Sequence, residues 1–291
     1  MEYVYLDHNI FIETLENREL KELLNKIKSD ETIEFLYSPA HIEEVYKVAK
    51  DINSKNRSKM KDLIKNISEI TNNNEVLPSL QSVIIKKEKP LDCYKRVKEF
   101  DTTEKVKSDS IVRYEVDKKN YKKLLAEDKK NVSISKIDFD KIWENDLIKD
   151  EINKLNNNIS VEIERYNNSA VILFNKILMG VDKSLSSNLC FKKGNYEFLK
   201  NSYNDLEYTI EVLFRILNHY GYNADKSEHT SISGTHDVTH AIYATIADYL
   251  ISTDLRFVKK CKAVYYYLGI KTEVVHVKQN EIANTLNNIL R

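Results

Sequence analysis

Four acidic residues stand where a folded α/β chain would bring them together. Asp7 ends the first β-rich run of the chain, and Asp254 ends a later one. Glu44 falls in the second turn of a predicted helix, and Asp237 in the first turn of another, after a loop that contains Gly234. Because the carboxyl ends of parallel strands and the starts of the following helices meet at one edge of a sheet, we expect these carboxylates to share a cleft.

Carboxylates that share a cleft repel one another, and burying them without partners is costly. A hard divalent cation such as Mg²⁺ or Mn²⁺ accepts oxygen ligands and removes this repulsion. One or two such ions can activate a water to attack phosphorus and stabilise the charge that develops in phosphodiester hydrolysis. A structural alternative stays open, in which the three aspartates stabilise helix starts and Glu44 is a solvated helix residue. Glu43 is the rival of Glu44 for the metal-binding role.

The first fifty residues predict a strand–helix–strand–helix unit, which is typical of a parallel α/β sheet. Residues 2–7 and 33–37 are β-rich, and apolar residues at helical spacing run through 10–27. Ser38 and Pro39 are the residue types expected at an N-cap and a first helical position.

The last sixty residues repeat this rhythm. Predicted helices and strands alternate over residues 236–247, 248–254, 255–268, 272–277 and 281–290. The helix after Asp237 would span about 16 Å before Asp248, at 1.5 Å per residue. Asp248 is therefore expected at the edge of the sheet opposite Asp237, while Asp254 returns to the edge of Asp237.

The two ends together predict one discontinuous α/β domain, residues 1–52 and 230–291, around a mainly helical insertion, residues 53–229. Helical spacing within the insertion covers residues 57–70, 114–125, 137–166, 170–179 and 196–220. The asparagine runs at 72–74 and 156–158 look like breaks, and residues 80–85 are ambiguous between helix and strand.

Composition excludes several classes of protein. The chain of 291 residues has 45 Lys+Arg and 45 Asp+Glu. Because basic residues are not in excess, the composition does not predict a nucleic-acid-binding protein. Its five glycines form neither a P-loop nor a Rossmann turn, and its three cysteines are too far apart for a disulfide framework or a zinc knuckle. With no long apolar run and no basic N-terminal region, we expect a soluble, reduced, cytoplasmic protein. Lysine-rich residues 85–89 and 118–130 could form an RNA-binding face, but interleaved acids favour solvated helices.

Four segments at the two ends resemble, in order, the motifs of PIN-domain nucleases. They are residues 5–12 (YLDHNIFI), 38–45 (SPAHIEEV), 236–244 (HDVTHAIYA) and 249–257 (YLISTDLRF). The resemblance implies a PIN-like three-layer α/β/α fold with a central parallel sheet. It also implies that Asp7, Glu44, Asp237 and Asp254 bind Mg²⁺ or Mn²⁺, with Asn9 and Thr253 supporting the site.

The resemblance implies an endoribonuclease that hydrolyses RNA, with single-stranded DNA as the second choice. A toxin or phage-defence role, an antitoxin or defence-system partner and a homodimer are the expectations it raises. Two features depart from the minimal family pattern: the insertion is long, and three histidines crowd the site (His8, His236 and His240). His240, one turn after Asp237, is a supporting residue of the predicted site, with a packed core histidine as the alternative.

Two other functions stay open at this point. A catalytically silent PIN-like RNA-binding or protein-interaction module would use the insertion as its working surface. A phosphatase of the haloacid dehalogenase type also begins with an aspartate after its first strand, but it needs a second acid where Asn9 stands. Ser252 could close a strand or join the site, and Arg256 could bind a phosphate or form a surface salt bridge.

Overall fold

The computed structural model describes residues 1–29, 31–50, 54–79, 81–99, 134–224 and 228–290. The strands are β1 (Glu2–Leu6), β2 (Ile33–Leu36), β3 (Asn74–Pro78), β4 (Val83–Lys87), β5 (Tyr249–Ser252) and β6 (Glu273–His276). The helices of the amino-terminal part are α1 (His8–Glu13), α2 (Arg18–Lys28), α3 (Pro39–Lys50), α4 (Ser54–Thr71) and α5 (Pro90–Glu99). The later helices are α6 (Asp146–Asn167), α7 (Ala170–Leu178), α8 (Tyr196–Leu199), α9 (Tyr203–His219), α10 (Glu228–Tyr243), α11 (Leu255–Leu268) and α12 (Ile282–Ile289).

A four-stranded parallel sheet in the order β2-β1-β5-β6 forms the centre of the protein. The strands come from the two ends of the chain, so residues far apart in sequence become neighbours. Val4, for example, stands opposite Phe35 on one side and Tyr249 on the other. Every strand ends at the same edge, as expected for a parallel sheet.

Helices cover both faces of this sheet. Successive side chains of a strand point to opposite faces, and in β1 the side chain of Tyr5 joins one buried cluster while those of Val4 and Leu6 join the other. The first cluster includes residues of α6, α9, α10 and α11, and the second includes residues of α1 to α5 and α12. The fold is therefore α/β with helix, sheet and helix in three layers.

The middle of the chain packs into the same cores as the ends. Trp143 shares the first cluster with Tyr5 and Leu36, and its indole Nε1 donates a 2.7 Å hydrogen bond to the carbonyl oxygen of Ala263 in α11. Asn156 binds both backbone groups of Phe191 at 2.8 Å. The Trp143 contacts fix the central segment against the sheet-bearing part of the chain, and the Asn156 bonds hold two parts of that segment together.

Several predicted elements are confirmed. β1, β2 and the helix that begins at Pro39 lie where the sequence indicated, and α11 ends at Gly269, which has a φ of +77°. Asp248 lies at the opposite edge from the strand ends, since its Oδ2 accepts from the Tyr3 backbone N–H at the start of β1. The predicted helix at residues 114–125 and the lysine-rich residues 118–130 lie outside the described residues.

Other predictions were wrong or only partly confirmed. The helical stripe over residues 10–27 is two helices, because Asn17 begins α2 by accepting from Leu20 N. The break predicted at 72–74 is confirmed, since Asn72 and Asn73 have positive φ after the end of α4, and β4 makes a strand of the second half of the ambiguous stretch 80–85, but its partner β3 was not predicted. The run at 156–158 is not a break, because it lies inside α6.

The helix that carries Asp237 also begins earlier than predicted. α10 starts at Glu228, so Gly234 lies inside the helix and Asp237 is in its third turn. A lone glycine lowers helix stability but does not end a helix that packs against the core. α10 also crosses the predicted domain boundary at 229/230.

Among the described residues, every helix is too short or too polar to cross a lipid bilayer.

Candidate active site

The strand order places a crevice where β1 and β5 end side by side. From β1 the chain passes through α1 and α2 to β2 on one side, whereas β5 pairs with β1 on the other side and leads through α11 to β6. In open α/β sheets, ligands bind at such a reversal of strand order, beyond the carboxyl ends of the strands. Asp7 directly follows β1, and Ser252 is the last residue of β5.

Asp7 is held firmly at this point. Its Oδ1 accepts a 2.8 Å hydrogen bond from the His8 backbone N–H, and its Oδ2 accepts a 2.6 Å bond from the Ser252 hydroxyl. The Asn9 amide approaches the same Oδ2 at 3.5 Å. Burial raises the pKa of Asp7, and the charge of Glu44 adds to this rise, although His240 and the Ser252 hydroxyl oppose it.

Glu44 and His240 connect two helices across the crevice. Nε2 of His240 in α10 donates a 2.8 Å hydrogen bond to Oε1 of Glu44 in α3. Burial disfavours the charged form of Glu44, but the charge of His8 and the bond from His240 hold its pKa well below the usual value. The Glu44 side chain is 25% exposed, whereas that of His240 is 1% exposed.

The imidazole of His240 is held on its other side by the Tyr5 hydroxyl, 2.6 Å from Nδ1. Burial alone would lower the pKa of His240. The hydrogen bond from Nε2 to Glu44 and the charges of Glu44, Asp7 and Asp237 outweigh that effect and raise it. The ring therefore has its orientation fixed by one phenol and one carboxylate.

Behind this pair lies a second buried histidine. Nδ1 of His41 accepts from the Ser38 backbone N–H at 3.0 Å, so Nε2 carries the proton and donates to the Leu6 carbonyl oxygen at 2.8 Å. The Ser38 hydroxyl is 2.6 Å from that of Tyr5. Burial, with the nearby charges of His240 and His8, lowers the pKa of His41 well below its usual value. His41 is therefore a neutral structural support of the site.

Asp237 and Asp254 lie in the same electrostatic neighbourhood. Burial raises the pKa of the Cys261 thiol in α11, and the charge of Asp237 adds to this rise. Asp7 and Asp254 also raise the pKa of that thiol. Since charge interactions weaken with distance, each of these aspartates lies within electrostatic range of the Cys261 thiol.

Asp254 also has a helix-capping role. Its Oδ1 accepts from the backbone N–H groups of Arg256 and Phe257 at 2.7 and 3.2 Å, which begins α11. Two residues on, Nη1 of Arg256 is buried without a hydrogen-bond partner among the described residues. A guanidinium N–H group without a partner is able to form a charge-assisted hydrogen bond to an anion.

The other residues considered in the sequence analysis make the following contacts. The carbonyl oxygen of Thr253 lies 3.2 Å from Nε2 of His276, so its backbone helps to fix the end of β5. Glu43, the rival of Glu44, stands 3.7 Å from Nδ1 of His236, and burial lowers the pKa of His236 to about 4. His8 is buried, and its Nδ1 has no hydrogen-bond partner within the described part of the chain.

Sequence reasoning missed the supporting residues. Tyr5 could have been found, because residues two apart in a strand point to the same face and Tyr5 precedes Asp7 by two. His41 precedes Glu44 by three residues on a helix, so both share a face. No signal in the sequence indicates that the Ser252 hydroxyl, rather than that of Thr253, meets Asp7.

The oxygen donors of this crevice suit a hard divalent cation. Asp7 is a buried carboxylate with a raised pKa, and a positive ion beside it would reverse that shift. Within the described ranges, however, no three His, Cys, Asp or Glu side chains form a ready-made metal centre. Asp7 and Glu44 instead bind Ser252 and His240, and these hydrogen bonds would have to adjust around an ion.

Comparison of the chain with protein-family models, with curated proteins and with solved structures found no match.

Proposed function

We propose that this protein is a metal-dependent nuclease with a PIN-like fold, acting on RNA first and on single-stranded DNA second. One observation carries the proposal: Asp7, a buried carboxylate at the reversal of strand order, lies within electrostatic range of Glu44, and both affect the His240 imidazole together with Asp237. Asp254 follows the neighbouring strand. A parallel sheet assembled from the two motif-bearing ends of the chain supports the PIN-like assignment.

In this proposal, Asp7, Glu44, Asp237 and Asp254 hold Mg²⁺ or Mn²⁺. The ion, when bound, would activate a water and neutralise charge on a phosphodiester. The chain's own residues orient the acids: Ser252 holds Asp7, and His240 holds Glu44. Arg256 supplies a buried N–H group for a phosphate oxygen.

The biological setting follows from the same proposal. A nuclease without a strongly basic surface must select its substrate through the crevice and the segment around residues 53–229. A cytoplasmic toxin or phage-defence enzyme, regulated by an antitoxin or a defence-system protein, fits such an activity.

A second candidate is a catalytically silent PIN-like module that binds RNA or a protein. The pairing of Glu44 with His240 favours it, because a histidine already compensates the carboxylate that the nuclease would need for a cation. This module would bind its partner without metal-dependent turnover.

The test is incubation of the purified protein with labelled RNA and labelled single-stranded DNA, in Mg²⁺, Mn²⁺ or EDTA. The nuclease proposal expects cleavage that requires the ion and is lost in Asp7→Asn. Asp248→Asn is the matched control, because Asp248 lies at the opposite edge of the sheet. Cleavage that survives in Asp7→Asn contradicts the mechanism, and tight RNA binding without any cleavage favours the silent module.

A further inference from the structure

A chain of buried hydrogen bonds runs from the Glu44 carboxylate back to β1. His240 donates from Nε2 to Oε1 of Glu44 at 2.8 Å, and its Nδ1 lies 2.6 Å from the Tyr5 hydroxyl. That hydroxyl lies 2.6 Å from the Ser38 hydroxyl, which in turn lies 3.2 Å from Nδ1 of His41. The four inner residues are at most 1% exposed, so solvent has no ready access to a broken bond.

The inner end of this chain fixes α3 to the strand that precedes Asp7. Nε2 of His41 donates to the carbonyl oxygen of Leu6, the residue before Asp7, at 2.8 Å. His41 and Glu44 are three residues apart on α3, so they lie on the same face of that helix. The contacts therefore form a closed circuit: β1 holds α3 through one residue, and Glu44 on α3 is connected back to β1 through the imidazole and the phenol.

Tyr5 supplies the second of the two hydrogen bonds that fix the His240 ring. The terminal torsion of a histidine side chain is broad, so one hydrogen bond at Nε2 leaves the ring some freedom to rotate. A second bond at Nδ1 removes this freedom, and with it part of the freedom of the Glu44 carboxylate. A carboxylate that is held through one oxygen can present the other oxygen to a cation in a fixed orientation.

We propose that Tyr5 is a positioning residue of the cation site: through His240, its hydroxyl fixes the Glu44 carboxylate relative to Asp7. This inference rests on the proposed function, because it names a residue that prepares the same site. Since Tyr5 is fully buried, it acts on the site through the ring rather than by touching the cation. Replacing residues that orient metal ligands typically lowers metal affinity by about 10- to 100-fold.

Tyr5→Phe tests this role, because it removes the hydroxyl and keeps the edge-on contact with the His240 ring, in which the centroids are 5.7 Å apart. Isothermal titration calorimetry of the full chain with Mn²⁺ should give a dissociation constant about 10-fold higher than that of the wild type. Tyr265→Phe is the matched control. This tyrosine is also buried, and its hydroxyl donates to the carbonyl oxygen of Ala241, next to His240, at 2.5 Å. The control should bind Mn²⁺ as the wild type does.

The imidazole provides readouts that do not need the cation. In the metal-free chain at one pH, nitrogen NMR of the histidine side chains should show a shift of the His240 Nδ1 resonance in Tyr5→Phe and none in Tyr265→Phe. The spectrum of His240→Ala gives the assignment. In urea unfolding, the effects of Tyr5→Phe and Glu44→Ala should be coupled, and this coupling should be lost in the His240→Ala background.

Far-UV circular dichroism checks that each variant is folded. Ser38→Ala, which removes the other partner of the Tyr5 hydroxyl, should weaken Mn²⁺ binding in the same direction, and it decides the question with the same readouts if Tyr5→Phe does not fold. Weaker binding in both variants, together with the shifted Nδ1 resonance, supports the proposal.

Three results would overturn the positioning role of Tyr5 while leaving the proposed function in place. They are an unchanged Mn²⁺ affinity or Nδ1 resonance in Tyr5→Phe, equal weakening of binding in Tyr265→Phe, and a coupling that persists without the His240 ring. A wild type that binds no Mn²⁺ contradicts the proposed function and the inference that rests on it.

Discussion

Glu44 accepts a 2.8 Å hydrogen bond from Nε2 of His240, which joins helices α3 and α10 although the two residues are 196 positions apart in sequence. His240 is 1% exposed on its side chain, so the bond is made largely away from water. This contact connects the two motif-bearing ends of the chain at the carboxyl edge of the sheet.

The first prediction concerns the strength of this contact. In a double-mutant cycle with Glu44→Ala and His240→Ala, measured by urea unfolding in EDTA, we expect a coupling free energy of about 1–3 kcal/mol. Removing either partner leaves a buried polar group without its hydrogen bond, so each single variant should lower the free energy of unfolding. If the loss of unfolding free energy in the double variant equals the sum of the losses in the single variants to within about 0.5 kcal/mol, the residues do not interact in solution.

The second prediction concerns pH and His41. Because the folded protein lowers the pKa of His41, the unfolded chain binds the proton more readily. The contribution of His41 to stability is therefore complete above its unfolded pKa of about 6.5 and is lost as the pH falls below that value. Unfolding free energies of the metal-free protein, measured between about pH 7 and pH 5, give this dependence.

His41→Asn keeps an acceptor for the Ser38 N–H and removes the titrating ring. The free energy of unfolding of the variant should therefore depend less steeply on pH than that of the wild type. The two slopes should differ by at most about 1.4 kcal/mol per pH unit, the value for one proton. Equal slopes in the two proteins would mean that His41 does not resist protonation in the fold.

The third prediction uses the single tryptophan of the chain. Trp143 lies in the middle segment but packs in one cluster with Tyr5 and Leu36 of the central sheet. Its fluorescence and the far-UV circular dichroism should therefore give the same urea midpoint. A tryptophan transition at a clearly lower urea concentration would mean that the middle segment unfolds as a separate unit.

Much of the sheet could be predicted from local sequence patterns. Short β-rich runs next to Asp7 and before Ser38 predicted β1 and β2, because their apolar residues and turn signals agree with their burial. The β3–β4 hairpin could not be predicted in this way. Its residues are flanked by lysines and asparagines, and its position depends on the backbone bonds of Tyr37 to Asn74 and Val76.

Only part of the candidate site could be predicted from the sequence. The positions of Asp7 and Asp254 follow from where strands end, which is a local property. The contacts of Tyr5, Ser38 and His41 depend on the crossing of α3 over β1, and a single sequence does not encode such a crossing in any short pattern. The early start of α10 was missed because a lone glycine lowers the stability of a helix without ending it.

The central claim is that acids from distant parts of the chain form one cation site, and Mn²⁺ binding measured by isothermal titration calorimetry tests it most directly. We expect saturable binding to the wild type and to Asp248→Asn, and its loss in both Asp7→Asn and Asp237→Asn. Binding that is equal in all four proteins, or absent from the wild type, would contradict the account.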